Sequence, residues 1–371
     1  MMKKQLSNQT QRKSGIELLR IVAMLMIVGH HYSVHGNFAF SPDQVTIQKL
    51  WIDWLSLGGK IGVNIFMLIS GYFLINTTEI KMTKIATFWG QTICYSFGLS
   101  VLFYITRIDG VIGFRTIIRS LFPLSSNYWW YATSYFVIYL FCPYINILLK
   151  TIGKHSHFNL IVCMTILFCL SNTLIFVAGS FSMSHTAWLI YLYIVAAYIK
   201  LYKDEVKIKH CIAYGTISYI ITYMTAVILS LLGRNISALA SVSTYYFGMN
   251  KITVLVTSIL LFMGFKNLNF KYNKLINILA STTFGIYLIH DNKLVRHYLW
   301  ITLFKNAAYS NLMTIFLHAV ICILSVFVVC SLVEFVRICT LEKLWIKIIN
   351  KNTSKVMNMT NKIRSHLEKL I

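Results

Sequence analysis

Proline and acidic side chains are nearly missing from this chain: its 371 residues include three prolines and 11 Asp plus Glu, and only 12% are charged. Soluble domains clothe themselves in charged and polar residues, so this composition excludes a large water-facing surface. No polar stretch is long enough for a separate soluble domain, and no internal repeat is visible. Cysteines at 94, 142, 163, 169, 211, 322, 330 and 339 lie in or beside apolar stretches without C-x-x-C spacing, which predicts neither disulfides nor a metal site. No small-residue cleavage site follows the first apolar run, so that run is expected to stay in the mature protein.

Apolar residues make up 57% of the chain. They recur in runs of about 18–22 residues, the length of helix that crosses roughly 30 Å of hydrocarbon with every backbone group bonded internally. The expected fold is an all-α integral membrane protein of about ten transmembrane helices, near 15–34, 58–74, 85–105, 128–149, 157–177, 186–201, 212–232, 249–265, 275–291 and 309–335. Lys plus Arg number 34, for a net charge of +23. In a soluble protein that excess would suggest nucleic acid, but here the cations fall in alternate loops, as the positive-inside rule requires. With Lys3, Lys4, Arg12 and Lys13 inside, about 23 Lys and Arg are cytoplasmic and about 10 lie outside, with Arg20 inside the first span. Both termini are then cytoplasmic. The outside set includes Arg107, Arg115 and Arg119 in the segment 106–122. The division is a cytoplasmic segment 1–14, a membrane domain 15–335 and a basic tail 336–371, the last either a helix on the anionic inner leaflet or a partly disordered tail.

The first span places ionisable groups inside an apolar helix. Each costs roughly 2.5–3.5 kcal/mol on insertion scales, so such groups face a protein interior or a wet cavity. Arg20 and His31 are eleven residues apart and differ by only about 20° around a helix, so they share a face about three turns apart. Glu17 lies within about 60° of Arg20 and is placed to neutralise it. Imidazole is suited to take a proton from a sugar hydroxyl near neutral pH or to accept an acyl group transiently. His30 points away by roughly 80–100°. The plainer alternative makes Arg20 a snorkelling or helix-pairing residue and the histidines interfacial.

The pattern resembles the membrane acyltransferase-3 family of bacterial O-acyltransferases, whose first span carries an acid, then Arg, then His at R-x10-H spacing, as do Glu17, Arg20 and His31. Residues 62–74, GVNIFMLISGYFL, are similar to the family's G-V-[DN]-x-F…S-G-[FY] signature, with Asn64 where an acid often stands. Lys81 and Lys84 occupy its [RK]-x-x-[RK] pair. Tyr128-Trp129-Trp130 and the run Thr283 to His290 also match, so the likeness covers about 14–335.

The resemblance implies a membrane O-acyltransferase, most simply an O-acetyltransferase of the bacterial cytoplasmic membrane, moving an acyl group from cytoplasmic acyl-CoA to a hydroxyl of a cell-surface polysaccharide or lipid-linked glycan. Acetyl-CoA or another acyl-CoA is the co-substrate, and no cofactor is permanently bound. Expected partners are acyl-CoA, the glycan and membrane lipids, with no nucleic acid. His31 and Arg20 would be catalytic, with Arg20 positioning the donor or stabilising developing negative charge. Glu17 and His290 would support them, and Lys81 and Lys84 would hold the donor phosphates. Ser70 and Gly71 read as close helix packing rather than a nucleophile. His290, Asp291 and Arg296 could line the acceptor's entrance or form an interfacial cluster. Glu334 should pair with Arg337 or Arg20. A glycan exporter or secondary transporter, with Arg20 and the histidines along its path, is the alternative.

Overall fold

The computed structural model describes residues 14–41, 44–174 and 183–351. Lys3, Lys4, Arg12 and Lys13 and the tail 352–371 lie outside them.

Long helices dominate, as the apolar runs require. They are α1 (Ser14–His35), α2 (Ile47–Leu74), α3 (Met82–Thr106), a short α4 (Phe114–Ser120), α5 (Trp130–Thr151) and α6 (Gly153–Thr165), which continues to Thr173. There follow α7 (His185–Tyr202), α8 (Cys211–Gly233), a short α9 (Ser237–Ser241), α10 (Ile252–Lys266), α11 (Lys274–His290), a short α12 (Lys293–His297) and α13 (Leu312–Arg337), the last continuing as helix to Lys351. Among the described residues, eight helices are long and apolar enough to cross a membrane. Two expected spans, the sixth and ninth, are present as α7 and α11 but are only 18 and 17 residues long and are not among those eight. Both bury most of one length in the protein: Trp188, Tyr191, Leu192 and Tyr193 of α7 and Ile286, Tyr287 and Leu288 of α11 are in the core. A helix screened from lipid by its neighbours needs a less apolar surface than one that meets lipid.

The second span also begins earlier than expected, at Ile47 rather than Gly58. Thr46 caps it by accepting from the Lys49 backbone N–H, and Lys49 is neutralised one turn on by Asp53 at 3.0 Å. These two charges broke the apolar run in the sequence.

Among the span-length helices α2 and then α1 are the most buried; they pack on each other and on α10 and α13, with α7 against α2 and α11 against α1. Two polar pins hold the interior. Asn64 on α2 accepts from Trp188 Nε1 at 2.9 Å and donates to the Met249 carbonyl at 2.9 Å, fixing the chain that leads into α10. The position therefore uses an amide, because a carboxylate could not donate. Asn146 on α5 donates to the carbonyls of Leu74 and Thr77, both at 2.8 Å, closing the α2–α3 turn. On the outside, α8 exposes Ile217, Ile221, Met224, Ile228 and Leu232, and α13 exposes Phe316, Ile321, Leu324, Val328 and Leu332. Apolar rows of that extent are lipid-facing surface.

The described start of the tail is docked on α3: Trp345 lies against Gly90 and donates through Nε1 to the Ala86 carbonyl at 2.9 Å. All eight cysteines are free thiols.

Candidate active site

The helices run so that Lys81 and Lys84 mark one end of the bundle, while the ends of α1, α3 and α11 meet at the other. At that second end α1 and α11 bring two histidines together. His31 Nδ1 lies 2.8 Å from His290 Nε2, and His290 Nδ1 lies 2.6 Å from the Ile286 carbonyl. A carbonyl only accepts, so His290 carries its proton on Nδ1 and offers the Nε2 lone pair. His31 must then donate from Nδ1, which leaves its own Nε2 with a free lone pair. The chain of bonds selects the tautomer in which His31 is a base.

That Nε2 atom faces a carboxylate. Asp291 Oδ1 is 3.6 Å from His31 Nε2 and 4.0 Å from His35 Nε2, and Arg296 Nη2 holds the same oxygen at 2.6 Å. If His31 takes a proton on Nε2, the resulting imidazolium has a buried carboxylate beside it to offset the charge, while His290, on the other ring nitrogen, is the partner that orients the ring. The ligand atoms of His31, His35 and Asp291 lie within 4.8 Å of one another and could hold a cation. A cation there would compete with the Arg296 guanidinium for Oδ1. This three-residue set escaped the spacing rules because Asp291 lies at the end of a different helix.

His31 lines an internal cavity of about 70 Å³ between α1, α2, α5 and α11, with His30, Lys60, Phe66, Trp130, Tyr131 and Tyr287 in its wall. The helices approach closely here: a Cβ at Gly59 would lie 2.2 Å from His30 Cβ, so only glycine fits against that ring. His30, in the same wall, has its Nδ1 2.7 Å from the Ser56 carbonyl. Lys60 has no ion-pair or hydrogen-bond partner among the described residues. Tyr287 is buried; its hydroxyl makes no hydrogen bond of ordinary geometry and lies beside the backbone of Tyr131. Neither residue was singled out in the sequence. Lys60 carried the same signal as Arg20, a cation inside an apolar helix, whereas Tyr287 lay within the matched run Thr283 to His290 with nothing to set it apart from its neighbours.

Arg20 does not line this cavity. Its Nε sits 3.6 Å from Glu17 Oε2, as the three-residue spacing predicts, and neither atom has a hydrogen bond. Arg20 lies within electrostatic range of Tyr131 and Tyr135. A second cavity, of about 590 Å³, opens toward the lysine end and is lined by Lys84, Phe88, Gln91, Tyr135 and Tyr139 on one side and by Glu342, Ile346 and Asn350 on the other. Between the two cavities stand paired rings: Phe284 of the first stacks on Phe88 of the second at 5.2 Å, and Tyr131 on Tyr135 at 6.4 Å.

Of the paired lysines, Lys84 lines the second cavity and Lys81 does not; both are exposed, and Lys81 donates its backbone N–H to the Tyr139 hydroxyl at 3.3 Å. Ser70 Oγ donates to the Phe66 carbonyl at 2.8 Å, and Gly71 faces Tyr193 and Ala196 of α7, both packing roles. Phe66 and Trp130 line the histidine cavity, while the Tyr72 hydroxyl donates to Asp204. Glu334 pairs with Arg337, not with Arg20.

The helical membrane bundle thus holds a histidine pair at one inner cavity and a larger, Lys84-edged cavity on the far side of a layer of rings. The chain matches the model of the acyltransferase-3 family, an acyltransferase domain, over residues 13–334, and it belongs to that family. It is an acyltransferase. Comparison with curated proteins and with solved structures gives no match.

Proposed function

We propose that this protein is an O-acyltransferase of the bacterial cytoplasmic membrane that moves an acetyl group from cytoplasmic acetyl-CoA to a hydroxyl of a cell-surface or lipid-linked glycan. The observation that carries this reading is the tautomer-fixed His31–His290 pair, one layer of aromatic rings away from the larger, Lys84-edged cavity. In this reading the lysine end faces the cytoplasm and the histidine end faces out. Lys84 meets the donor phosphates, the pantetheine arm fills the larger cavity, and the thioester reaches the ring pairs beside Arg20.

His31 Nε2 takes the proton of the acceptor hydroxyl as its oxygen attacks the thioester carbonyl. The new C–O bond forms, the C–S bond breaks, and the proton passes from His31 to the departing thiolate. Charge that develops on the carbonyl oxygen meets the two unpartnered donors of the cavity, the Lys60 ammonium and the Tyr287 hydroxyl.

The test is the acetyl content of purified surface polysaccharide, read by proton NMR, from a deletion strain expressing wild type, His31→Ala or Arg20→Ala at equal membrane abundance. Loss of the acetyl signal in both variants with polymer yield unchanged supports the reading; normal acetylation overturns it. Two kinetic outcomes are expected with purified enzyme. Lys84→Gln raises KM for acetyl-CoA by about tenfold, the worth of one charge-assisted contact, and Lys81→Gln raises it less. Tyr287→Phe lowers kcat by about 10-fold or more, with KM for acetyl-CoA nearly unchanged, because the lost contact is made in the transition state.

A further inference from the structure

A minority of the positive charge stands at the outer end of this bundle and lacks a topological reason to be there. Under the orientation proposed above, the histidine end is the outer one, where the positive-inside rule leaves few Lys and Arg. Yet the segments 106–129 and 291–311 at that end carry six, Arg107, Arg115, Arg119, Lys293, Arg296 and Lys305, against two acids, Asp109 and Asp291. Both acids are already engaged: Asp109 by His297 at 2.6 Å and Thr302 at 3.0 Å, and Asp291 by Arg296. Among the described residues, Arg107, Arg115, Arg119 and Lys293 have no ion pair. Topology does not explain these charges, and neither do internal partners.

Two of them edge a built cleft. Arg119 of α4 and Lys293 of α12 line a recess of about 590 Å³ with the hydroxyl side chains Thr116 and Ser126 and the ring of Tyr128. Lys293 Nζ stands 5.9 Å from the centre of that ring. Tyr128 is two residues from Trp130, which lines the His31 cavity, so the chain between recess and cavity spans at most about 7 Å.

We propose that this recess binds the acceptor, and that the acceptor is an anionic glycan whose carboxylate or phosphate sits between Arg119 and Lys293. The inference rests on the glycan reading above. A guanidinium and an ammonium supply a fork and a point charge for the anion, the Thr116 and Ser126 side chains supply polar contacts for sugar hydroxyls, and the proximity of Trp130 brings a neighbouring hydroxyl toward His31. A phospholipid headgroup would satisfy the same cations, but it needs neither a recess of this volume nor its hydroxyl lining, two residues along the chain from a wall of the histidine cavity.

The experiment measures binding, so it does not depend on acyl transfer. Full-length protein in neutral-lipid nanodiscs is titrated calorimetrically with a glucuronate–N-acetylglucosamine tetrasaccharide and with neutral chitotetraose. The uronate ligand is expected to bind about tenfold more tightly at low salt, and the preference should vanish at high salt and in Arg119→Gln/Lys293→Gln. The variant's thermal unfolding should match wild type, since both side chains are exposed. Equal affinity for the two ligands, or a preference that survives the double substitution, overturns the proposal. So does loss of the preference in phosphatidylglycerol discs, which makes a lipid headgroup the occupant. Selective binding without acetyl transfer from acetyl-CoA leaves the recess standing and removes the acetyl-donor reading; transfer without selective binding removes only the recess.

Discussion

His31→Ala reduces kcat for acyl transfer by about 10²–10⁴-fold, the usual contribution of a positioned general base, and leaves KM for acyl-CoA within about twofold. The donor cavity and the base are separate, with Phe284 on Phe88 and Tyr131 on Tyr135 between them, so losing the imidazole removes chemistry rather than donor binding. His290→Ala is expected to cost less, about tenfold, because His290 acts through His31: without its Nε2 acceptor the His31 proton is no longer held on Nδ1. Steady-state kinetics on purified enzyme, with acetyl-CoA and acceptor varied in turn, separates the two. A His31→Ala enzyme that keeps its kcat, or loses only donor affinity, would remove His31 from the proton-transfer step.

The largest effect on stability is expected at Glu334. This carboxylate is buried in α13 and accepts from four donors: Arg337 Nε and Nη2 at 2.7 and 2.9 Å, Gln91 Nε2 at 2.9 Å and Tyr95 Oη at 2.5 Å. Gln91 and Tyr95 belong to α3, so the acid ties two lipid-flanked helices together. Glu334→Ala strands a buried guanidinium, with Glu342 as its remaining acid at 2.5 Å, and frees two α3 donors, a loss of about 3–5 kcal/mol. The check is thermal unfolding in detergent, where a fall of several degrees is expected; an unchanged melting curve contradicts it.

Gly285 of α11 reports on the same contact from a third helix. A Cβ there would lie 2.3 Å from Glu334 Cδ, so Gly285→Ala should destabilise by pushing the carboxylate off its donors. In the Glu334→Ala background the space is open and most of that cost should disappear, a coupling that a double-mutant cycle reads directly.

Much of this was legible in the sequence because the bilayer imposes simple rules. Apolar runs had to become helices, and charges inside them had to face a partner or an inner cavity, which identified α1 and the pairing of Glu17 with Arg20. The same rule, applied to α2, would have marked Lys60. It misplaced the start of α2 because Lys49 and Asp53 cancel each other one turn apart, which an apolar-run reading counts as two charges. Arg20 and His31 share a face of α1, as spacing alone indicated, yet serve different places. Arg20 lies near Tyr131 and Tyr135 and His31 beside His290, because three turns of helix separate them.

By itself, then, the sequence determined that the chain is a helical membrane protein of the acyltransferase-3 family and that α1 holds ionisable groups facing inward. Period, run length and motif order are local properties, and they survive any arrangement of the helices. Only the tertiary structure decided that His31 meets His290 and Asp291 from more than 250 residues away, that Lys84 rather than Lys81 edges the larger cavity, and that Tyr287 leaves a buried hydroxyl unpartnered. It likewise decided that Glu334 belongs to Arg337 and α3. Which buried groups become partners depends on the rotation and depth at which helices distant in sequence pack, and that is set by the fit of side chains across all of them at once.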